Sequence, residues 1–139
     1  MTNDRFKELL DQLKTIGLSP NDFAIFGSGP MCVRGLRDAK DLDIIARGPA
    51  LEIARTAGKE STALSGNVSF VFFDGDIEMF DRWAPGQWDV DQLIDTADII
   101  DGLRYVQLNQ VLNWKRTLNR PKDQADIELL ERYQQEREN

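Results

Sequence analysis

Phe23-Ala24-Ile25-Phe26 is an unbroken apolar run that passes directly into Gly27-Ser28-Gly29-Pro30. A run this short, bounded by turn residues, reads as a buried strand. The glycines allow a sharp turn, and Pro30 suits the first turn of a helix, where its missing N–H would lack a partner in any case. A buried strand feeding a helix requires a sheet with helices packed on it, because neither element can bury its apolar surface alone.

The rest of the chain supplies the other pieces. Phe6, Leu9, Leu10, Leu13 and Ile16 follow the 3.6-residue period of a helix that Thr2 or Asn3 can cap and Gly17 can close. A short helical stretch from Met31 to about Leu36 leads to a second strand, Leu42-Asp43-Ile44-Ile45-Ala46, which Gly48-Pro49 is expected to end. Residues 50–57 read as a helix and Gly58 to Gly66 as a loop. Val68 to Phe73 and Ile77 to Phe80 are β-rich runs joined by Asp74-Gly75-Asp76, a hairpin signal. Helices are expected at about 90–99, 107–118 and 121–136, with a short Leu103–Val106 segment after the first and Pro121 dividing the last two. The expectation is one domain over residues 1–139. Its core of about 20–82 forms a small mixed sheet with flanking helices, an α/β sandwich rather than a doubly wound parallel fold, and a helical part covers about 89–137.

Composition removes several chemistries. The 139 residues contain no histidine, so a Ser-His-Asp triad, a Cys-His dyad and a His-ligated zinc site are excluded. The single cysteine, Cys32, cannot form an internal disulfide and reads as a small core residue in a reducing compartment. No segment resembles a signal peptide or a membrane span, which leads to the expectation of a cytoplasmic protein. The net charge of −7 argues against a long nucleic-acid partner. That charge is local: residues 68–103 carry nine acids and one base, whereas the flanking stretches nearly balance. Asp91, Asp95 and Asp98 fall at helical spacing opposite Leu93, Ala97 and Ile100, the pattern of a solvated face.

Acid–base or metal chemistry therefore falls to carboxylates. Asp41 and Asp43 flank Leu42 where a loop becomes a strand, and the two-residue alternation of a strand points both to one face. Two such groups can share a divalent cation, and oxygen-only ligation fits Mg²⁺ or Mn²⁺. Ile44 and Ile45 make the pair strand-borne and half-buried, which raises the cost of holding two carboxylates together without a cation. The Gly27-Ser28 turn between strand and helix can present backbone N–H groups to a phosphate, although the chain has no Walker A pattern. Glu78, between Ile77 and Met79, alternates out of the core and could meet the aspartates from a neighbouring strand.

Taken together, Phe26-Gly27-Ser28, then Asp41-Leu42-Asp43-Ile44 thirteen residues beyond the serine, then Glu78 on a later strand resemble the nucleotidyltransferase superfamily that includes DNA polymerase β and the aminoglycoside and minimal nucleotidyltransferases. The resemblance spans residues 23–80, and Trp114-Lys115, Arg120-Pro121-Lys122-Asp123 and Asp126-Ile127 are more loosely similar to the helical tail of small members. It implies that Gly27 and Ser28 hold a triphosphate such as that of ATP, that Asp41 and Asp43 bind the metals, and that Glu78 takes the third-carboxylate position as metal ligand and proton acceptor. The implied activity transfers a nucleoside monophosphate from an NTP to a hydroxyl of a protein or small molecule, without histidine. Two departures stand out. The third acid is more often aspartate in that superfamily, and Gly29-Pro30 is tighter than its usual continuation after the serine.

Lys115 lies on the apolar stripe Leu108, Val111, Leu112, Leu118, where it must snorkel or meet an anion, and it joins Lys122 as a candidate nucleotide or phosphate ligand. Arg120 and Arg37 could also contact nucleotide or substrate but read first as solvated, and Trp83, Trp88 and Trp114 read as packing residues that could also stack on a base. Two other readings remain. A module of the same fold could bind nucleotide or regulate a partner protein, as an antitoxin does, with little catalysis. Val71-Phe72-Phe73-Asp74-Gly75-Asp76 superficially resembles the nucleophile strand of haloacid dehalogenase-like phosphatases, but Glu78 stands where that family wants threonine or valine, and a hairpin turn explains Asp74 more simply.

Overall fold

Strand β1 (Phe23–Ile25) pairs antiparallel with β2 (Leu42–Ala46), and these two form the middle of a seven-stranded mixed sheet. The computed structural model describes residues 3–63 and 66–138, so Thr2, one of the two candidate caps of the first helix, lies outside them. On one side β2 pairs parallel with β5 (Ile77–Phe80), which continues antiparallel to β4 (Val68–Phe72) and then β3 (Lys59–Thr62). On the other side β1 pairs parallel with β7 (Leu103–Tyr105), which pairs antiparallel with β6 (Asp98–Ile100). The strand order is β3-β4-β5-β2-β1-β7-β6, and six helices accompany the sheet among the described residues. The fold is the mixed α/β sandwich expected.

Alternation along the central strands sorts the helices into two layers. Ile25, Leu42, Ile44, Ile77 and Met79 pack with Phe6, Leu9 and Leu13 of α1 (Asn3–Ile16) and with Ala50 and Ala54 of α3 (Gly48–Ala57). Ala24, Phe26 and Ile45 pack instead with α4 (Val90–Asp95), α5 (Leu108–Leu118) and α6 (Gln124–Glu138), through Leu93, Ile94, Val111, Leu112, Ile127 and Leu130. Cys32 ends α2 (Gly29–Cys32), buried and unpaired, and burial raises its thiol pKa, the opposite of an activated nucleophile.

Several local expectations are corrected. Residues 58–66 are not all loop: Lys59–Thr62 pairs with β4 as an edge strand, and its polarity suits an exposed edge. Gly48-Pro49 opens α3 rather than only closing β2, with Pro49 in the first helical turn. The helix expected at 90–99 stops at Asp95, and Asp98–Ile100 turns into β6. Asp91 and Asp95 are exposed, as expected, but they pair with Arg47, and Asp98 pairs with Arg34. The helical stretch after Pro30 ends at Cys32, and Pro121–Asp123 is a 3₁₀ turn ahead of α6. The Asp74-Gly75-Asp76 hairpin forms, with Phe73 and Asp74 in the left-handed region.

Candidate active site

The parallel register of β2 and β5 sets Asp43 directly beside Glu78. Because Leu42, Ile44, Ile77 and Met79 face α1 and α3, both carboxylates face the layer of α4 to α6. Phe26 N–H donates to the Asp43 carbonyl at 2.8 Å, which ties the start of the Gly27-Ser28 turn to the same strand. Gly27 has φ +62°, and a Cβ there would lie 2.8 Å from Asp43 Oδ2. Glycine is therefore required twice over, by backbone conformation and by the approach of the carboxylate. Ser28 precedes α2, its carbonyl accepting from Met31 and Cys32 N–H, while its hydroxyl makes no capping bond. Asp41 stands exposed just ahead of β2.

Asp43 carries the strongest electrostatic signature. Burial, reinforced by the negative charges of Asp41 and Glu78, pushes its carboxyl up to about 7, and the Lys115 ammonium pulls the other way. Asp41 is also raised, chiefly by partial loss of solvent, against the attraction of Arg5. Glu78 Oε2 accepts from Ser69 Oγ at 2.5 Å, and Ser69 is fully buried. Sequence reasoning missed Ser69; the available signal was a hydroxyl at an alternating position in Val68-Ser69-Phe70-Val71-Phe72. Among the described residues, no three His, Cys, Asp or Glu side chains converge as a ready-made metal site. The chemistry of the donors nevertheless fits a hard divalent cation: oxygen ligands only, with mutual repulsion at Asp43 that a cation would relieve. Asp41 and Asp43 would hold it, with Glu78 beside them.

Lys115 and Lys122 separate. Lys115 is buried, and its Nζ lies 3.1 Å from Asp126 Oδ2 and 3.6 Å from Asp123 Oδ1. It has met an anion within the protein rather than snorkelled. Arg37, which reads from sequence as solvated, donates to Asp126 at 2.6 Å, and Arg120 makes a forked contact with Asp123 at 2.8 and 3.0 Å that holds its carboxyl below the usual range. Lys122 is exposed on the 3₁₀ turn. Arg120, not Lys122, reaches the cavity beside the carboxylates.

That cavity, of about 510 Å³, is lined by Asp43, Glu78, Phe80, Trp83, Trp114 and Arg120 among others. Trp83 stacks on Phe26 with centroids 4.1 Å apart and meets Phe80 and Trp114 edge-on. Trp88 packs edge-on against Phe26. The indoles thus do pack, as expected, while two of them also form a wall of the site.

The fold has a counterpart among solved structures. The chain is similar to a putative nucleotidyltransferase from Thermotoga maritima, with a TM-score of 0.61 over 98% of this chain and 96% of that one, at 16% identity. The similarity establishes a nucleotidyltransferase-like fold. No protein-family model matches the sequence, and no curated protein matches it. Among the described residues, no helix is long and apolar enough to cross a membrane.

Proposed function

We propose that the protein is a metal-dependent nucleotidyltransferase, moving a nucleoside monophosphate from an NTP to a hydroxyl of a protein or small molecule. One observation carries the reading: Asp43 and Glu78 sit in register across β2 and β5, with Asp43 against the Gly27 turn and its carboxyl pushed up by burial and by the charges of Asp41 and Glu78. Asp41 and Asp43 hold the cation, and Gly27 and Ser28 offer the turn to the triphosphate. Bound there, Mg²⁺ or Mn²⁺ would neutralise the triphosphate and stabilise the entering and leaving oxygens of an in-line displacement. The acceptor oxygen bonds to the α-phosphorus, the bond to the bridging oxygen breaks, pyrophosphate leaves and Glu78 takes the acceptor's proton. Ser69 occupies one oxygen of Glu78 and so orients the other toward its task. Lys115, fixed by Asp123 and Asp126, places positive charge near Asp43 from inside the protein rather than binding phosphate directly.

Calorimetric titration of ATP with and without Mg²⁺ tests the site. Wild type is expected to bind only with the metal, and Asp43→Asn to lose that binding. Metal-dependent binding that survives the substitution would overturn the assignment, and no binding of any NTP would favour a regulatory module. Incubation with α-labelled ATP, CTP, GTP and UTP in lysate reads out transfer, and Glu78→Gln is expected to slow it by about 10²–10⁴.

A further inference from the structure

Asp43 and Glu78 take their direction from the strands that carry them, but Asp41 stands one residue ahead of β2. Its side chain points where its φ and ψ send it, and those two angles are set by the orientation of the peptide groups on either side of its Cα. Both groups are held. The carbonyl of Lys40, in the peptide before Asp41, accepts from Arg5 Nη2 at 3.2 Å. The N–H of Leu42, in the peptide after it, donates to the Asp76 carbonyl at 2.8 Å.

These two anchors belong to one assembly. The same Arg5 Nη2 donates to Asp76 Oδ1 at 2.7 Å, and Gln12 Nε2 donates to Asp76 Oδ2 at 3.2 Å. Asp76 therefore holds Leu42 with its backbone and, through Arg5, Lys40 with its side chain. Arg5 and Gln12 lie on one face of α1, about two turns apart, so the helix and the β4–β5 turn meet at the backbone of Asp41. Gln12 turns its amide nitrogen to Asp76 while its own Oε1 stays buried with no partner among the described residues. Holding this carboxylate takes precedence over satisfying the amide.

Stability does not account for the arrangement. The Arg5 and Asp76 side chains are 42% and 30% exposed, and an ion pair so open to water contributes little to folding. Glu8, the other carboxylate near Arg5, lies 3.5 Å away and is more exposed still. What the pair does fix is the chain on both sides of a carboxylate assigned to the metal.

We propose that Arg5 and Asp76 are positioning residues of the metal site, holding the backbone around Asp41 so that its carboxylate is directed to the cation it shares with Asp43. The proposal rests on the transferase reading, which gives Asp41 and Asp43 to the metal. Both residues act through the backbone of the ligand. Outer-shell partners that orient a metal ligand are typically worth about 10–100-fold in affinity, and a hold exerted through the backbone belongs at the lower end of that range.

Titration with Mn²⁺ alone, followed by the electron paramagnetic resonance signal of the free ion, tests the proposal on wild type, Arg5→Met and Asp43→Asn. The sign of the change is the discriminating result. Removing the Arg5 cation near Asp41 would by itself tighten the hold on Mn²⁺, whereas releasing the Lys40 carbonyl weakens it. Arg5→Met is expected to bind Mn²⁺ about tenfold more weakly than wild type, with the midpoint of urea unfolding little changed. Unchanged or tighter binding by Arg5→Met would overturn the proposal. So would weaker binding that comes with a large fall in the urea midpoint, which would make Arg5 a residue of the fold rather than of the site. If Asp43→Asn abolishes Mn²⁺ binding and Arg5→Met does not weaken it, only this inference fails. Mn²⁺ bound equally well by wild type and Asp43→Asn, or by neither, would remove the metal assignment and this inference with it.

Discussion

The two faces of the sheet are built on different terms. Toward α1 and α3, Ile25, Leu42, Ile44, Ile77 and Met79 close completely against Phe6, Leu9 and Leu13, and each position agrees with its strand's alternation. Toward α4, α5 and α6, the same strands present Asp43 and Glu78. All four buried polar or charged side chains of the described residues, Ser69, Lys115, Asp123 and Asp126, belong to this second face. The orphaned indole N–H of Trp83 lies there as well. The first face is apolar at every strand position, and its unpaired buried polar atom among the described residues, Gln12 Oε1, comes from α1. The other breaks the rules of a core in one place, where a site is expected.

The sharpest way to break the contrast is Lys115→Met. A buried ammonium within 3.6 Å of two aspartates holds the polar face together, and removing it leaves those carboxylates to Arg37 and Arg120 alone. A loss of about 3–4 kcal/mol in urea unfolding is expected, since breaking a buried pair strands its partner. Adding Asp126→Leu should recover part of it, as an apolar pair has no charge to strand. If Lys115→Met is neutral, the network is not a structural element of this face.

Asp43→Asn should act in the opposite sense and somewhat more weakly. Its native carboxyl titrates near 7 rather than 3.8, so the folded state holds the proton more tightly than the unfolded chain. The associated stability is complete below about 3.8 and is lost as the pH rises through 7. A shift of ~3 units at ~1.36 kcal/mol each sets an upper bound of about 4 kcal/mol. Because the residue as a whole is only half-buried, about 2–3 kcal/mol is the expected gain for Asp43→Asn at pH ~8 in EDTA, with almost none at pH ~4. Mg²⁺ should stabilise wild type and not the variant. Unfolding curves at the two pH values check both parts, and equal stability of wild type and variant at the higher pH would remove the claim that burial and the neighbouring carboxylates disfavour the Asp43 charge.

This division was partly legible in the sequence. The alternation Leu42-Asp43-Ile44 and Ile77-Glu78-Met79 places each acid opposite its apolar neighbours, and the Asp-Gly turn predicts the β4–β5 hairpin. The pairing of Asp43 with Glu78 is long-range and follows from no local signal, yet both residues stood out singly. What could not be read was set by neighbours distant in sequence. Lys59–Thr62 has no apolar face, so only its partner strand makes it β. Arg37 and Asp126 are 89 residues apart, and nothing in the loop around Arg37 announces a buried partner. The choice of Lys122 over Arg120 turned on which side of a 3₁₀ turn faces the cavity, which spacing around Pro121 does not resolve.

The smallest expected effect sets the two faces against each other within one strand. Ser69 and Phe70 are adjacent in β4, the first donating to Glu78 and the second buried against α1 and α3's layer. Ser69→Ala deletes a hydrogen bond to a carboxylate and should cost about 1–2 kcal/mol. Phe70→Leu removes ring volume from a closed core and should cost a similar amount. Stability alone does not distinguish them, but under the proposed transferase reading the transfer rate does. Ser69→Ala frees the Glu78 side chain to rotate and is expected to lower kcat severalfold with little change in KM for the NTP, and Ser69→Thr, which keeps the hydroxyl, should restore much of it. Phe70→Leu should leave kcat unchanged at temperatures where it is folded. If the two variants fall together in both stability and kcat, Ser69 is a core residue like its neighbour, and the polar face has no positioning role for it.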